Sequence, residues 1–162
     1  MKISVLEGHS VNPGDLSWSV LNQYGQVTVY NKTTQRDAAA QIGDAQIALI
    51  NKTVVDATLL DACPNLRLIC VQATGYNVVD CEAAKARNVC VCNVPAYGTP
   101  AVAQFTFSLL LELCNQVGHH STLVHDGQWQ ARGNFCFWDT PQMELAGKTL
   151  GIIGFGRIGR AV

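Results

Sequence analysis

The sequence predicts an α/β fold: a flavodoxin-like, doubly wound parallel sheet, followed by the first strand and turn of a Rossmann dinucleotide-binding domain. Three observations predict it. Short apolar, β-branched runs recur as far as Asn93. Helix-like segments, most opening on a cap residue, lie between them at the spacing that βαβ units require. Near the C-terminus an apolar run leads directly into a glycine-rich turn.

The predicted strands are Ile3 to Leu6, Val27 to Tyr30, Gln46 to Ile50, Arg67 to Val71 and Val89 to Asn93. Predicted helices fill the gaps at Asp15 to Tyr24, Gln35 to Ile42, Asp56 to Cys63 and Asp80 to Arg87, with Asp15, Thr34, Asp56 and Asp80 as caps. Right-handed crossovers turn such an alternation into a layered parallel sheet. After the fifth strand the rhythm changes. Thr99 caps and Pro100 opens a long helix from Ala101 to about Val124, in which Gly118 is the one strong breaker. Val102, Phe105, Leu109, Leu113 and Val117 recur at spacings of three and four, which predicts a core-facing stripe on a connector between domains. A polar, aromatic-dotted stretch from Asp126 to Glu144 reads as a surface loop.

The segment from Gly147 to Gly159 then places an apolar strand against Gly154-Phe155-Gly156-Arg157-Ile158-Gly159, with a helix starting at Arg157. GxGxxG alone is weak; a strand before it and a helix start behind it make it specific. Gly154 permits the tight turn, Gly156 lets the backbone approach a pyrophosphate, and Gly159 lets helix pack closely on strand. The helix start, with Arg157 and Ile158, offers free N–H groups to phosphate. The chain stops at Val162, so the acidic residue expected about 20 residues past such a turn is not within it. The organisation expected is a substrate-binding domain at 1–99, a connecting helix at 100–127, a loop at 128–147, and the start of a truncated nucleotide domain at 148–162. Leu150, Ile152 and Ile153 would then form an unpaired apolar strand, a hazard for swapping or aggregation.

Composition narrows the function. Apolar residues make up 48% and charged residues 14%, enough for a core and unlike a disordered chain. Lys and Arg (11) nearly balance Asp and Glu (12), with no basic run to attract nucleic acid. No run of about 18 apolar residues predicts a membrane span, and the N-terminal strand has no signal-peptide pattern. Seven cysteines, an odd number without a CxxC pair, argue against both a disulfide framework and a zinc site. Cys90 and Cys92 alternate with valines and are expected to be small buried groups, in a reducing, cytoplasmic setting.

Asn51-Lys52-Thr53, Ala73-Thr74-Gly75-Tyr76-Asn77-Val78-Val79-Asp80 and Asn93-Val94-Pro95-Ala96-Tyr97-Gly98-Thr99 carry a family resemblance. So do Ala101 to Gln104, Val117-Gly118-His119-His120, Asn134 to Asp139 and the glycine turn. In order and spacing the chain resembles the D-isomer-specific 2-hydroxyacid dehydrogenases over its whole length, within them most the glycerate dehydrogenase (hydroxypyruvate reductase) branch. The resemblance implies a homodimeric NAD enzyme, with two Rossmann-like domains, acting on a small 2-oxo or 2-hydroxy acid. It implies that backbone amides at Thr74 and Gly75 receive the substrate carboxylate and that Thr74 also lies near the nicotinamide or ribose. Lys52 either adds positive charge for the substrate or is simply solvated; Val102 either packs on the nicotinamide or serves the core. The family's catalytic Arg, Glu and His lie beyond the glycine turn, so no catalytic residue is assigned and the chain alone is expected to be inactive. His119 and His120 match no catalytic position, and His9 and His125 have less in their favour. Phe135, Phe137, Trp138 and Trp129 suggest a subunit interface or active-site rim. Two other readings stay open. One is a non-enzymatic, flavodoxin-like interaction or regulatory module. The other is a flavin-binding flavodoxin, for which Glu7-Gly8-His9-Ser10-Val11-Asn12 is a poor phosphate loop.

Overall fold

Five short strands build one sheet: β1 (Lys2–Val5), β2 (Gln26–Val29), β3 (Ile47–Ile50), β4 (Leu68–Val71) and β5 (Cys90–Asn93). All pair in parallel, in the order β2-β1-β3-β4-β5. That is the flavodoxin-like order, which reverses direction between β1 and β3. The computed structural model describes residues 1–162, which divide into two units, Met1–Pro95 and Ala96–Val162. The sheet lies wholly in the first.

Alternation along each strand sorts the side chains between faces. On one face Ala48, Ile50, Ile69 and Val71 are buried under α2 (Ala38–Ile42), α3 (Ala57–Ala62) and α4 (Cys81–Ala86), against Ile42, Leu59, Leu60, Cys63 and Ala84. Ser4 shares this face, and its hydroxyl donates to the Gln41 carbonyl at 2.8 Å, so its burial leaves no orphan donor. Asp56 and Asp80 cap α3 and α4, accepting from the amides of Leu59 and Ala83 at 2.9 Å each. The opposite face carries Ile47, Leu49, Leu68 and Cys70, all half-buried.

Several expectations are corrected. Residues 15–24 are not one helix capped by Asp15. The Asn12 side chain holds a turn by accepting from the amides of Gly14 and Leu16 and donating to the Leu16 carbonyl, and Gly14 sits at φ 118°. A short α1 (Gly8–Val11) precedes that turn, and only a 3-10 helix, Trp18–Gln23, follows it, capped by Ser17. Thr34 caps no helix: its hydroxyl donates to Asp37, and α2 begins later, at Ala38. Cys90 and Cys92 share a face as expected, but they are exposed, because β5 is an edge strand and nothing in this unit covers that side.

In the second unit the long helix is two. α5 (Thr99–Asn115) ends at Gln116, which adopts the left-handed conformation (φ 50°, ψ 48°), and α6 (Val117–His125) follows. Glu112 supplies the reason, since its carboxylate accepts from the Gly118 amide at 3.2 Å and satisfies the start of α6. Gly98 rather than Thr99 is the N-cap of α5. The expected core stripe is exposed, from 44% at Val102 to 79% at Leu113, while Ala103 and Cys114 are buried. Helical spacing marks a face, not what covers it. The expected loop contains α7 (Gln128–Arg132), and the chain ends in α8 (Arg157–Ala161), which packs on α5. Residues 148–153 form no strand, because none lies beside them to complete a ladder; Leu150, Ile152 and Ile153 remain exposed.

Candidate substrate and dinucleotide sites

The carboxyl end of β4 runs into Ala73, Thr74 and Gly75. Three hydrogen bonds pin this loop to the end of β5. Val94 N–H donates to the Ala73 carbonyl at 3.1 Å, Thr74 Oγ1 to the Val94 carbonyl at 3.0 Å, and Asn93 Nδ2 to the Thr74 carbonyl at 2.8 Å. The amides of Thr74, Gly75 and Tyr76 are not donors in any hydrogen bond within the protein. The loop is therefore rigidly held by its carbonyls and side chains while its N–H groups stay available, the arrangement of an anion-binding nest. Gly75 is exposed and has no positive φ, and an added Cβ would only reach ordinary contact range of Asn77 Oδ1, at 3.4 Å. The loop therefore does not require glycine for its backbone conformation; glycine leaves the backbone uncovered.

At the adjacent end of β3 the amides of Asn51, Lys52 and Thr53 donate to the Glu7 carboxylate, at 2.8, 2.9 and 3.3 Å. Asn51 Nδ2 donates to the Gln72 carbonyl at 3.3 Å, linking this turn to the Thr74 loop. The Lys52 side chain is exposed and enters no ion pair. In the sequence Glu7 stands only as part of a poor phosphate loop. Nothing in its neighbours signals that it reaches residues 51–53, because strand order alone brings them together.

In the second unit Gly154, Gly156, Arg157, Ile158 and Gly159, all expected cofactor contacts, line one cavity of about 340 Å³ together with Thr99. Thr99 was expected only as a cap. Each glycine has a distinct physical reason. Gly154 sits at φ 101°, where side chains are strained. A Cβ on Gly156 would meet nothing within 4 Å, leaving room for a ligand. A Cβ on Gly159 would overlap the Gly154 carbonyl oxygen, so α8 can approach the turn only without one. These features fit a dinucleotide pyrophosphate. Val102, at the head of α5, does not line this cavity.

The histidines of the second unit are engaged structurally. His120 and His125 donate through Nδ1 to the carbonyls of Gln116 and Ser121, at 2.9 and 2.8 Å. His119 Nε2 lies 2.8 Å from Asp139, which also accepts from Arg132 at 3.1 Å. These partners, His119 first and Arg132 second, hold the Asp139 carboxyl below the ordinary aspartate range. Trp129 and Phe137 pack 5.8 Å apart, and they line a shallow apolar groove of about 600 Å³ with Val117, Val124 and Phe135.

A flavodoxin-order sheet with free amides at a strand end, joined in sequence to a glycine-rich turn ahead of a helix, defines the class: a doubly wound, flavodoxin-like α/β protein. The chain belongs to the D-isomer specific 2-hydroxyacid dehydrogenase family, whose catalytic-domain model matches residues 6–150. It is 49% identical over 164 aligned residues to a hydroxypyruvate reductase of Blautia hydrogenotrophica, and 33% identical over 162 to a glycerate dehydrogenase of Methylorubrum extorquens. Each alignment covers 99% of this chain and 51% of the relative, so the chain spans about half the length of these proteins. Its fold matches the D-lactate dehydrogenase of Aquifex aeolicus complexed with NAD and lactic acid, with a TM-score of 0.73, 22% identity, and coverage of 99% of this chain and 46% of that one.

Proposed function

We propose that this chain is the carboxylate-binding part, with one edge of the cofactor site, of an NAD(H)-dependent oxidoreductase. Its reaction interconverts a small 2-oxo acid and its 2-hydroxy acid, hydroxypyruvate and glycerate foremost. The observation that carries this reading is the pinned loop whose Thr74 and Gly75 amides are free to donate. Amides held in place before a ligand arrives bind a carboxylate without reorganising, and need no fixed cation. Lys52 adds a mobile positive charge nearby. Gly154, Gly156, Arg157, Ile158 and Gly159 hold the cofactor's pyrophosphate, while Thr74 and Val102 flank its nicotinamide. Bound reduced nicotinamide supplies the hydride that the oxo acid receives.

In this reading residues 1–99 are the substrate domain, 100–127 the connector, 128–147 a surface loop and 148–162 the first part of the nucleotide domain. The chain by itself does not turn over substrate, since its helix histidines are committed to Gln116, Ser121 and Asp139. The exposed apolar face of α5 and the aromatic groove support homodimerisation through the second unit. No helix is long and apolar enough to cross a membrane; seven free thiols support a reducing, cytoplasmic setting.

Titration of isotope-labelled chain with hydroxypyruvate tests the proposal. Saturable shifts of the Thr74 and Gly75 amide resonances are expected, with NADH moving those of Gly154 to Gly159. Hydroxypyruvate shifts confined to other residues would refute the carboxylate assignment, and hydroxypyruvate-dependent NADH oxidation would refute the inactivity.

A further inference from the structure

Glu7 places a carboxylate on three consecutive backbone donors, the amides of Asn51, Lys52 and Thr53. Such a converging set is an anion receptor in its own right. It lies where the strand order reverses between β1 and β3, the crevice in which open α/β sheets bind ligands. Glu7 reaches it from the left-handed conformation (φ 58°, ψ 30°), which is disfavoured for a residue with a side chain. Its own amide is tied to Thr33 Oγ1 at 3.2 Å, which holds the residue there.

We propose that the amides of Asn51–Thr53 form a second anion nest with Glu7 as its built-in occupant. Glu7 thereby excludes 2-oxo acids that bear a second anionic group, such as a phosphate, in favour of those with a neutral tail. The exclusion rests on the function proposed above; the nest does not. β3 and β4 are neighbours, about 4.8 Å apart, and the Asn51 to Gln72 hydrogen bond ties their ends together. A small acid anchored at Thr74 and Gly75 therefore lies one to two strand spacings, roughly 5–10 Å, from the Glu7 carboxylate. No cation pairs with Glu7, so a second negative group meets its charge unneutralised except by the amides. Removal of the carboxylate deletes that repulsion and frees three donors at once.

The test uses isotope-labelled chain as wild type, Glu7→Gly and Glu7→Gln, titrated with inorganic phosphate. Glycine adopts a φ of 58° without strain, so Glu7→Gly preserves the loop while opening the nest. The amides of Asn51, Lys52 and Thr53 are expected to shift saturably in Glu7→Gly, with affinity at least about tenfold above wild type, given the strength of like-charge repulsion at this range. Glu7→Gln keeps an oxygen on the nest but loses the charge, and falls between the two. Preference for phosphohydroxypyruvate over hydroxypyruvate rises in the same order. Equal phosphate binding by wild type and Glu7→Gly overturns the proposal, as does a folded Glu7→Gly whose residues 51–53 do not respond. If Glu7→Gly loses the sheet, Glu7→Gln decides, and no gain of phosphate binding over wild type overturns it. Absence of hydroxypyruvate shifts at Thr74 and Gly75 in wild type would instead sink the dehydrogenase reading, and the phosphate result at 51–53 would remain readable.

Discussion

Gly156→Ala and Gly159→Ala are chemically the same change three residues apart, and the structure requires opposite outcomes. Gly156 has φ −79° and ψ −165°, open to any L-residue, and its new methyl would touch no protein atom within 4 Å. The folded turn should survive and gain about 0.4–1 kcal/mol, because alanine has less freedom to lose on folding. The methyl nevertheless occupies the space that a pyrophosphate needs. Loss of one charge-assisted amide contact costs about 1.5–3 kcal/mol, so NADH affinity should fall roughly tenfold to a hundredfold. At Gly159 the methyl would overlap the Gly154 carbonyl oxygen and stand 3.3 Å from Ile152 Cγ2. That oxygen belongs to the backbone and cannot swing aside, so α8 must lift from the turn. Amide resonances of residues 154–161 report the fold, and NADH titration reports binding. Gly156→Ala should keep the first and weaken the second; Gly159→Ala should lose both. Equal behaviour of the two variants, or full NADH affinity in Gly156→Ala, would refute the assigned roles.

Other consequences follow from individual contacts. Asp80→Ala should cost about 1 kcal/mol in urea unfolding through loss of the α4 cap, whereas Asp15→Ala should stay within about 0.5 kcal/mol, since Asp15 caps nothing. Phe105→Glu with Leu113→Glu should abolish self-association in sedimentation while the amide spectrum of Met1–Pro95 is unchanged; retention of the dimer would exclude this face. Because its partners lower the folded-state pKa of Asp139, their stabilisation is complete above the unfolded value and is lost as pH falls through the folded one. The His119 contact should therefore persist down to about pH 4 and be lost only below it, as followed by the Asp139 carboxyl resonance. Burial pushes the Cys63 thiol up and shields it, so iodoacetamide should label exposed Cys90, Cys92 and Cys136 well before Cys63.

Much of this protein was legible in one dimension because its causes are local. The five strands lie within a residue or two of their predicted spans, since β-branched runs between breakers leave few alternatives. Asp56 and Asp80 cap as expected because an N-cap acts on an amide three residues away. The backbone constraints at Gly154 and Gly159 also emerge from a single glycine-rich turn. The failures are equally physical. Asp15 looked like a cap until Asn12 and Gly14 turned the chain ahead of it. The spacing from Val102 to Val117 and the alternation at Cys90 and Cys92 predict burial, but periodicity assigns a face and only neighbours bury it.

The sequence by itself determined which segments of the first unit are strands and which family the chain belongs to, because each depends on residues close together along the chain. Only the tertiary structure brought Glu7 onto the amides of Asn51–Thr53, pinned the Thr74 loop through Asn93 and Val94, and set Thr99 beside the glycine turn. Those pairings join residues roughly 20 to 55 positions apart. Parallel strand order and helix packing decide them, and a linear pattern of residue types does not encode either.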